Sequence, residues 1–254
     1  MKIAVVTGAS SGMGREFVRQ IAAKYRTIDE IWVLARRSDR LYELKEELDS
    51  PNLSICPMTC DVTDENSLAE FRMLLEKYHP SVRLLVNAAG YGTIGAFEEI
   101  SEQDNTGMCE VNCTALTRMI SITLPYMDCQ RSNIINLASS AAFVPQPSFA
   151  VYAATKSYVL SLSTALNKEL KSRGIAVTAV CPGPVATEFF DIAEKYHSVK
   201  LYKKLLRAKA PKVVARALKD AYHASHISVY GFTMKAFRVV CKVLPHNLIV
   251  KFIN

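Results

Sequence analysis

The sequence predicts an α/β protein: a doubly wound parallel sheet of about seven strands, with helices on both faces. Three observations carry this. Short apolar runs alternate with helix-period segments, which implies βαβ crossovers. The runs are continuously apolar, as strands buried on both faces require. A turn with the glycine spacing G-x-x-x-G-x-G joins the first run to the first helical segment.

The elements follow in order. Lys2–Thr7 is a strand and residues 12–25 a helix. Glu30–Ala35 (strand), Asp39–Leu48 (helix), Leu53–Met58 (strand) and Glu65–Tyr78 (helix) come next. Arg83–Asn87 is a strand, with helices expected within 101–107 and over 112–129. Asn133–Ala138 is a strand, Tyr152–Ser172 a long helix and Ile175–Cys181 a strand. Beyond residues 188–210, Pro211–Ala224 reads as a helix and Ile227–Tyr230 as a last strand. No linker or internal repeat interrupts the series, so residues 1–254 read as one domain.

Composition agrees. The chain has 254 residues, half of them apolar and 22% charged, which excludes a disordered polymer. Ten Gly and ten Pro exclude a collagen-like chain. Seven cysteines, an odd number with no Cys-x-x-Cys, read as reduced thiols. Cys56/Cys60 and Cys109/Cys113 have no His cluster beside them, so no metal is expected. The apolar run Ile3–Val6 is too short for a secretory or membrane segment, and a cytoplasmic protein is expected.

The first turn is Thr7-Gly8-Ala9-Ser10-Ser11-Gly12-Met13-Gly14. Glycine admits positive φ and lets a ligand approach bare backbone. A helix starting there presents free N–H groups and a partial positive charge, which suits a pyrophosphate. Between a buried strand and a helix, this points to dinucleotide binding. The second strand ends in Ala35-Arg36-Arg37, where NAD-preferring proteins of this architecture carry an acid. A guanidinium pairs with a 2′-phosphate through parallel hydrogen bonds and a carboxylate repels it, so NADP(H) is expected over NAD(H).

Tyr152 and Lys156 are four apart on a predicted helix and share a face. A nearby ammonium favours the phenolate, as would the positive nicotinamide ring of an oxidised cofactor, so Tyr152 is expected to have a lowered pKa and to exchange protons with an alcohol or carbonyl oxygen.

With these residues in view, the chain resembles the single-domain branch of the short-chain dehydrogenase/reductases over about residues 1–190. TGASSGMG looks like the family's cofactor loop, so Gly8, Ser10, Ser11, Gly12, Met13 and Gly14 are candidate cofactor contacts, with Arg36 and Arg37 beyond them. Asp61-Val62 looks like its adenine contact, and Asn87-Ala88-Ala89-Gly90 like its motif after the fourth strand. Asn112 falls on the family's active-site asparagine, and Tyr152-Ala153-Ala154-Thr155-Lys156 on its Tyr-x-x-x-Lys pair. Pro182, Gly183, Val185 and Thr187 lie in the segment that resembles its nicotinamide-end motif. Aligning Val144-Pro145 and Ala150-Val151-Tyr152 without gaps puts Ser139, not Ser140, on the catalytic serine position.

The resemblance implies a Rossmann-like fold and the following roles. Ser139 orients the substrate oxygen and Tyr152 is the general acid or base. Lys156 lowers the tyrosine pKa and holds the nicotinamide ribose. Asn112 holds a water that relays protons to Lys156. It also implies a dimer or tetramer built on the helices near 112–129 and 152–172. The expected activity is NADP(H)-dependent hydride transfer to or from a secondary alcohol or ketone. A bulky apolar substrate of hydroxysteroid, bile-acid or lipid type fits a lid with Phe189, Phe190, Tyr196 and Tyr202 as apolar walls. The alternative is a cofactor-sensing binding protein that has lost catalysis, which an intact Ser139, Tyr152, Lys156 and Asn112 argue against.

The formal charge of +7 is unevenly placed. From Lys195 onward there are 13 Lys and Arg and a single acid, Asp220. The basic, apolar stretch at about 230–254 would pack on its own domain, join a subunit interface, or lie on an anionic membrane. Packing or oligomerisation is the favoured expectation, and peripheral membrane contact the lesser one. Nucleic acid is not expected, since no recognition motif accompanies the charge.

Overall fold

The computed structural model describes residues 1–127, 131–197 and 207–253. Its centre is a seven-stranded sheet in the order β3-β2-β1-β4-β5-β6-β9. The strands are β1 (Lys2–Thr7), β2 (Glu30–Ala35), β3 (Ser54–Thr59), β4 (Ser81–Asn87), β5 (Ser132–Leu137), β6 (Ile175–Val180) and β9 (Ile227–Ser228). Every neighbouring pair is parallel. A separate two-residue ladder joins β7 (Val185–Ala186) to β8 (Ala208–Lys209).

Period-two geometry explains the continuous apolar runs. Ile3 and Val5 enter the core on one face, and Ala4 and Val6 on the other. Ile134 and Ile135 divide in the same way. One face is covered by α1 (Gly12–Lys24) and α2 (Ser38–Leu48) through Phe17, Ile21, Leu41 and Leu44. α8 (Ala210–Tyr222) completes that face with Val214 and Leu218. α3 (Glu65–Tyr78) covers the opposite face with Phe71 and Leu75, starting at Asp64, whose carboxylate caps Ser67 N–H at 2.8 Å. α5 (Leu116–Thr123) adds Leu116 and Met119, and α6 (Ala150–Glu169) adds Val159.

The strand order reverses between β1 and β4, so their carboxyl ends open a crevice at the switch point. The predicted helix over 112–129 is not one regular helix. α4 (Glu102–Cys109) runs into a π-helical stretch, Glu110–Ala115, then α5 and a 3₁₀ turn at Leu124–Tyr126. Residues 128–130 lie outside the described residues. The π stretch contains Asn112, whose side chain bonds outward to a loop and to α6, the kind of functional position where such bulges concentrate.

The predicted last strand is shorter than expected, because Gly231 turns the chain at φ 87° into α9 (Phe232–Val243). Buried Asp220 holds β9 by accepting from Ser228 Oγ and Arg216 Nε, each at 2.8 Å. α9 and α10 (His246–Ile253) pack on the domain through Phe237, Cys241 and Ile249. No helix among the described residues is long and apolar enough to cross a membrane.

Candidate active site

The carboxyl ends of β1, β2, β4, β5 and β6 border one cleft of about 2060 Å³. That exceeds the few hundred to a thousand cubic ångströms of a typical small-ligand pocket, and gives room for a dinucleotide and a second molecule.

Its floor is the first turn. Gly8 holds φ 65°, and a Cβ there would lie 2.7 Å from Ala89 N, so the turn closes on the β4 loop only with glycine. Ser11 precedes α1 without capping it, and no acid occupies the first turn. The leading N–H groups of α1 therefore keep their donor capacity toward the cleft, as a diphosphate requires. Ser10, Ser11, Gly12, Met13 and Gly14 all line this wall.

The two arginines differ. Arg36 reaches solvent, its side chain 78% exposed and 3.9 Å from Asp61. Arg37 donates to Ser10 Oγ at 3.1 and 3.3 Å and to Glu188 at 3.0 Å. Arg40, which the motif reading missed, donates to the same Glu188 at 2.6 Å. These bonds hold the Glu188 carboxyl below the usual carboxylate range, Arg40 contributing most.

Asp61 and Val62 line the cleft at the end of β3. Burial raises the Asp61 carboxyl, but hydrogen bonds from the Thr63 hydroxyl and N–H, with Arg36 nearby, bring it below its ordinary value. Thr7 Oγ1 accepts from Ala88 N and Ala89 N at 3.1 and 3.2 Å, which fixes the loop carrying Ala88 and Gly90. Asn87 does not reach the cleft wall. Its amide donates to Asn136, and Asn136 donates to Ser163, so it ties β4 to β5 and α6 instead of facing a ligand.

α6 places Tyr152, Thr155, Lys156, Val159 and Ser163 on its buried face, the i, i+3, i+4 pattern that brings the tyrosine and lysine together. Ser139 follows β5, with its Oγ accepting from Ala141 N at 3.1 Å. It is Ser139, not Ser140, that hydrogen-bonds the Tyr152 hydroxyl. Lys156 Nζ donates to Leu137 O at 2.9 Å and lies 5.5 Å from the Tyr152 ring centre. An ammonium has three donors, so others remain for a ligand.

The chain's own groups do not by themselves lower the tyrosine pKa. Burial pushes the Tyr152 phenol up to about 12, opposed by the Ser139 bond. Burial also brings Lys156 down to about 8. Desolvation disfavours both charged forms, and here it outweighs the attraction expected from spacing alone. At neutral pH the site therefore holds a neutral phenol beside a largely charged amine.

Asn112 is fully buried behind Gly90. Its amide donates to Tyr91 O at 2.9 Å and Thr155 Oγ1 at 3.0 Å, and its oxygen accepts from Tyr91 N at 3.2 Å. It locks the β4 loop to α6 and does not itself line the cleft.

Three aromatic rings meet at Tyr152. Phe149 stacks on it at 4.2 Å between centres, and Phe189 approaches at 5.4 Å. Phe149 carried no motif and was missed in the sequence. Phe189 lies in α7 (Phe189–Ala193) and, with Phe190, lines the cleft as expected. Tyr196 is not an apolar wall. Its hydroxyl donates to Asp104 at 2.7 Å and accepts from Ser101 N at 3.2 Å, tethering the segment after α7 to α4. Tyr202 lies outside the described residues. Pro182, Gly183, Val185 and Thr187 line the far wall, and a Cβ on Gly12 would touch the Thr187 side chain at 3.3 Å. Among the described residues no three His, Cys, Asp or Glu side chains gather as metal ligands.

Comparison with known proteins agrees with this geometry. The short chain dehydrogenase family profile matches residues 2–196. An uncharacterized oxidoreductase of Staphylococcus epidermidis is 30% identical over 238 residues, covering 92% of this chain and 96% of the relative. A short-chain dehydrogenase from Sphingobium yanoikuyae, solved with NADPH, superposes with a TM-score of 0.81 at 25% identity, over 96% of each chain. The bulky-bulky ketone specific alcohol dehydrogenase from Comamonas testosteroni gives 0.75 at 25% identity, over 96% of this chain and 95% of that one. A glycine turn on a doubly wound sheet and a Ser–Tyr–Lys group in the cleft above it thus have their counterpart in a known family: the chain belongs to the short chain dehydrogenases, oxidoreductases that bind a nicotinamide cofactor.

Proposed function

We propose that the protein is an NADP(H)-dependent carbonyl reductase or secondary alcohol dehydrogenase acting on a bulky, apolar ketone or alcohol. One observation carries this: half-buried Ser139 and buried Tyr152 and Lys156 converge at a cleft whose walls beside the tyrosine are Phe149 and Phe189.

In the reductive direction a ketone, NADPH and a proton give an alcohol and NADP⁺. Bound NADPH supplies the hydride. Ser139 donates to the carbonyl oxygen and orients it. Tyr152, neutral at physiological pH, gives that oxygen its proton. Lys156 holds the nicotinamide ribose hydroxyls and keeps positive charge near the phenol. Asn112 holds the β4 loop on α6, and a water beside it relays the replacement proton to Lys156. Oxidation asks more of these residues. Bringing a phenol from about 12 to neutrality takes roughly 7 kcal/mol of differential stabilisation. In reduction the phenol gives up a proton it already holds, and in oxidation it must first lose that proton.

The Arg37–Ser10 pair at the adenosine end supports NADP(H), since it offers a guanidinium fork and a hydroxyl to a 2′-phosphate. The chain works as one domain with a lid, in a dimer or tetramer. The test is NADPH oxidation against steroid, lipid and bulky aromatic ketones beside small polar ones. Turnover confined to the bulky apolar set supports the reading. Turnover confined to small polar ketones, or none with any carbonyl, overturns it.

A further inference from the structure

α9 has two apolar faces. At about 100° per residue, Met234, Phe237 and Cys241 fall on one side, and that side packs on the domain. Phe232, Ala236, Val239 and Val243 recur at i, i+4, i+7 and i+11 within an arc of roughly 60° on the opposite side. That side is bare: Phe232 is 86% exposed, Val239 60% and Val243 74%. Val240, Leu244 and Leu248 extend the patch toward α10. A continuous apolar stripe of this kind on an otherwise packed helix marks an interaction surface.

The charges say what covers it. Lys235, Arg238 and Lys242 flank the stripe along one edge, and Lys251 follows on α10. Residues 221–254 contain no Asp or Glu. A second copy docked about a two-fold axis would set these bases against their own duplicates, with no acid in the segment to pair them. An anionic lipid surface satisfies both features. The stripe enters the acyl boundary while the lysine stems lie along it and place their ammonium groups among the phosphates.

We propose that the exposed face of α9, continued by Leu244 and Leu248, is a docking surface for an anionic lipid bilayer. The opposite face of the same helix lines the cleft with Met234 and Phe237. Docking therefore brings the substrate end of the site close to the bilayer, where an apolar ketone concentrates. That consequence rests on the reductase reading; the docking itself does not.

The experiment is sedimentation of the full chain with vesicles of equal parts phosphatidylglycerol and phosphatidylcholine, beside vesicles of phosphatidylcholine alone. The wild type is expected to pellet with the anionic vesicles and to stay in solution with the neutral ones, with binding that falls as salt is raised. Lys235→Glu with Lys242→Glu should lower the partition coefficient by roughly 30-fold or more. Phe232→Ser with Val239→Ser should abolish pelleting with the charges intact. All four positions are exposed, and thermal melting and NADPH binding check that the variants remain folded. The wild type left in solution with anionic vesicles, or equal pelleting of wild type and variants, overturns the proposal. So does a stable dimer in analytical ultracentrifugation that Val239→Ser dissociates. No arm depends on turnover, so failure here and failure of the reductase reading are separable.

Discussion

Glu188 accepts from Arg37 at 3.0 Å and from Arg40 at 2.6 Å, and so ties the start of α7 to the turn and helix that follow β2. The carboxylate sits on the guanidinium groups that a 2′-phosphate would use. A dianionic phosphate arriving there competes with Glu188 for the same donors.

The first prediction follows from that competition. Glu188→Gln should tighten NADP(H) binding severalfold and change NAD(H) binding little. Arg37→Ala should weaken NADP(H) binding by roughly ten- to hundredfold, as loss of charge-assisted hydrogen bonds does. Arg36→Ala should cost less, because Arg36 is mostly in solvent. Fluorescence titration with NADPH and NADH measures all three. An Arg37→Ala chain that binds both cofactors as the wild type does would count against the assignment.

Tyr152→Phe removes the proton donor and leaves the ring that Phe149 and Phe189 pack against. Turnover should fall by roughly 10²- to 10⁴-fold, with the NADPH dissociation constant unchanged. Ser139→Ala should lower turnover less, since it orients the oxygen without donating the proton that moves. Steady-state kinetics with any accepted ketone decide this, and near-normal turnover in Tyr152→Phe refutes the mechanism.

The third prediction concerns pH. Lys156 titrates at about 8 and Tyr152 at about 12 in the folded chain, both through burial. The phenol remains a donor across the accessible range, while the amine loses its charge as pH passes about 8. kcat/KM for reduction should therefore fall above pH 8. The stability sign is the reverse. Unfolded lysine holds its proton to about 10.4, so the unfolded state binds more protons between 8 and that value, and stability rises with pH there. Lys156→Met should exceed the wild type in stability at pH 7 by up to roughly 3 kcal/mol, with the gap closing toward pH 10. Urea titrations at several pH values test this; a gap independent of pH would exclude a buried, titrating lysine.

Gly92 provides the fourth. A Cβ there would strike Cδ2 of Tyr152. Gly92→Ala should displace the phenol and lower kcat by about 10²-fold, since small misplacements of a reacting group cost that much. NADPH binding should survive, because Gly92 does not line the cleft. Unaltered kcat would show that the ring moves aside without consequence.

Much of this site is legible in the chain. The glycine turn and Tyr152 with Lys156 rest on short spacings that backbone geometry converts directly into position, whereas the choice of Ser139 over Ser140 rests on the family resemblance. Asn87, read from its motif, and Tyr196, read by its type, take other places in the structure. What decided their roles was a partner distant in sequence, Asn136 for one and Asp104 for the other. Phe149 and Arg40 belong to no motif and gain their roles only by where α6 and α2 are set down.

The amino-acid order alone determined the strands, most helices and the parallel sheet, because periodicity and turn chemistry act over a few residues. Folding decided the rest. Among the chain's own groups, desolvation raises Tyr152 despite the neighbouring lysine, since burial is a property of everything packed around a group. The Glu188 clasp joins residues 148 and 151 positions apart. The bare outer stripe of α9 exists because a helix can bury only one side against the body it rests on.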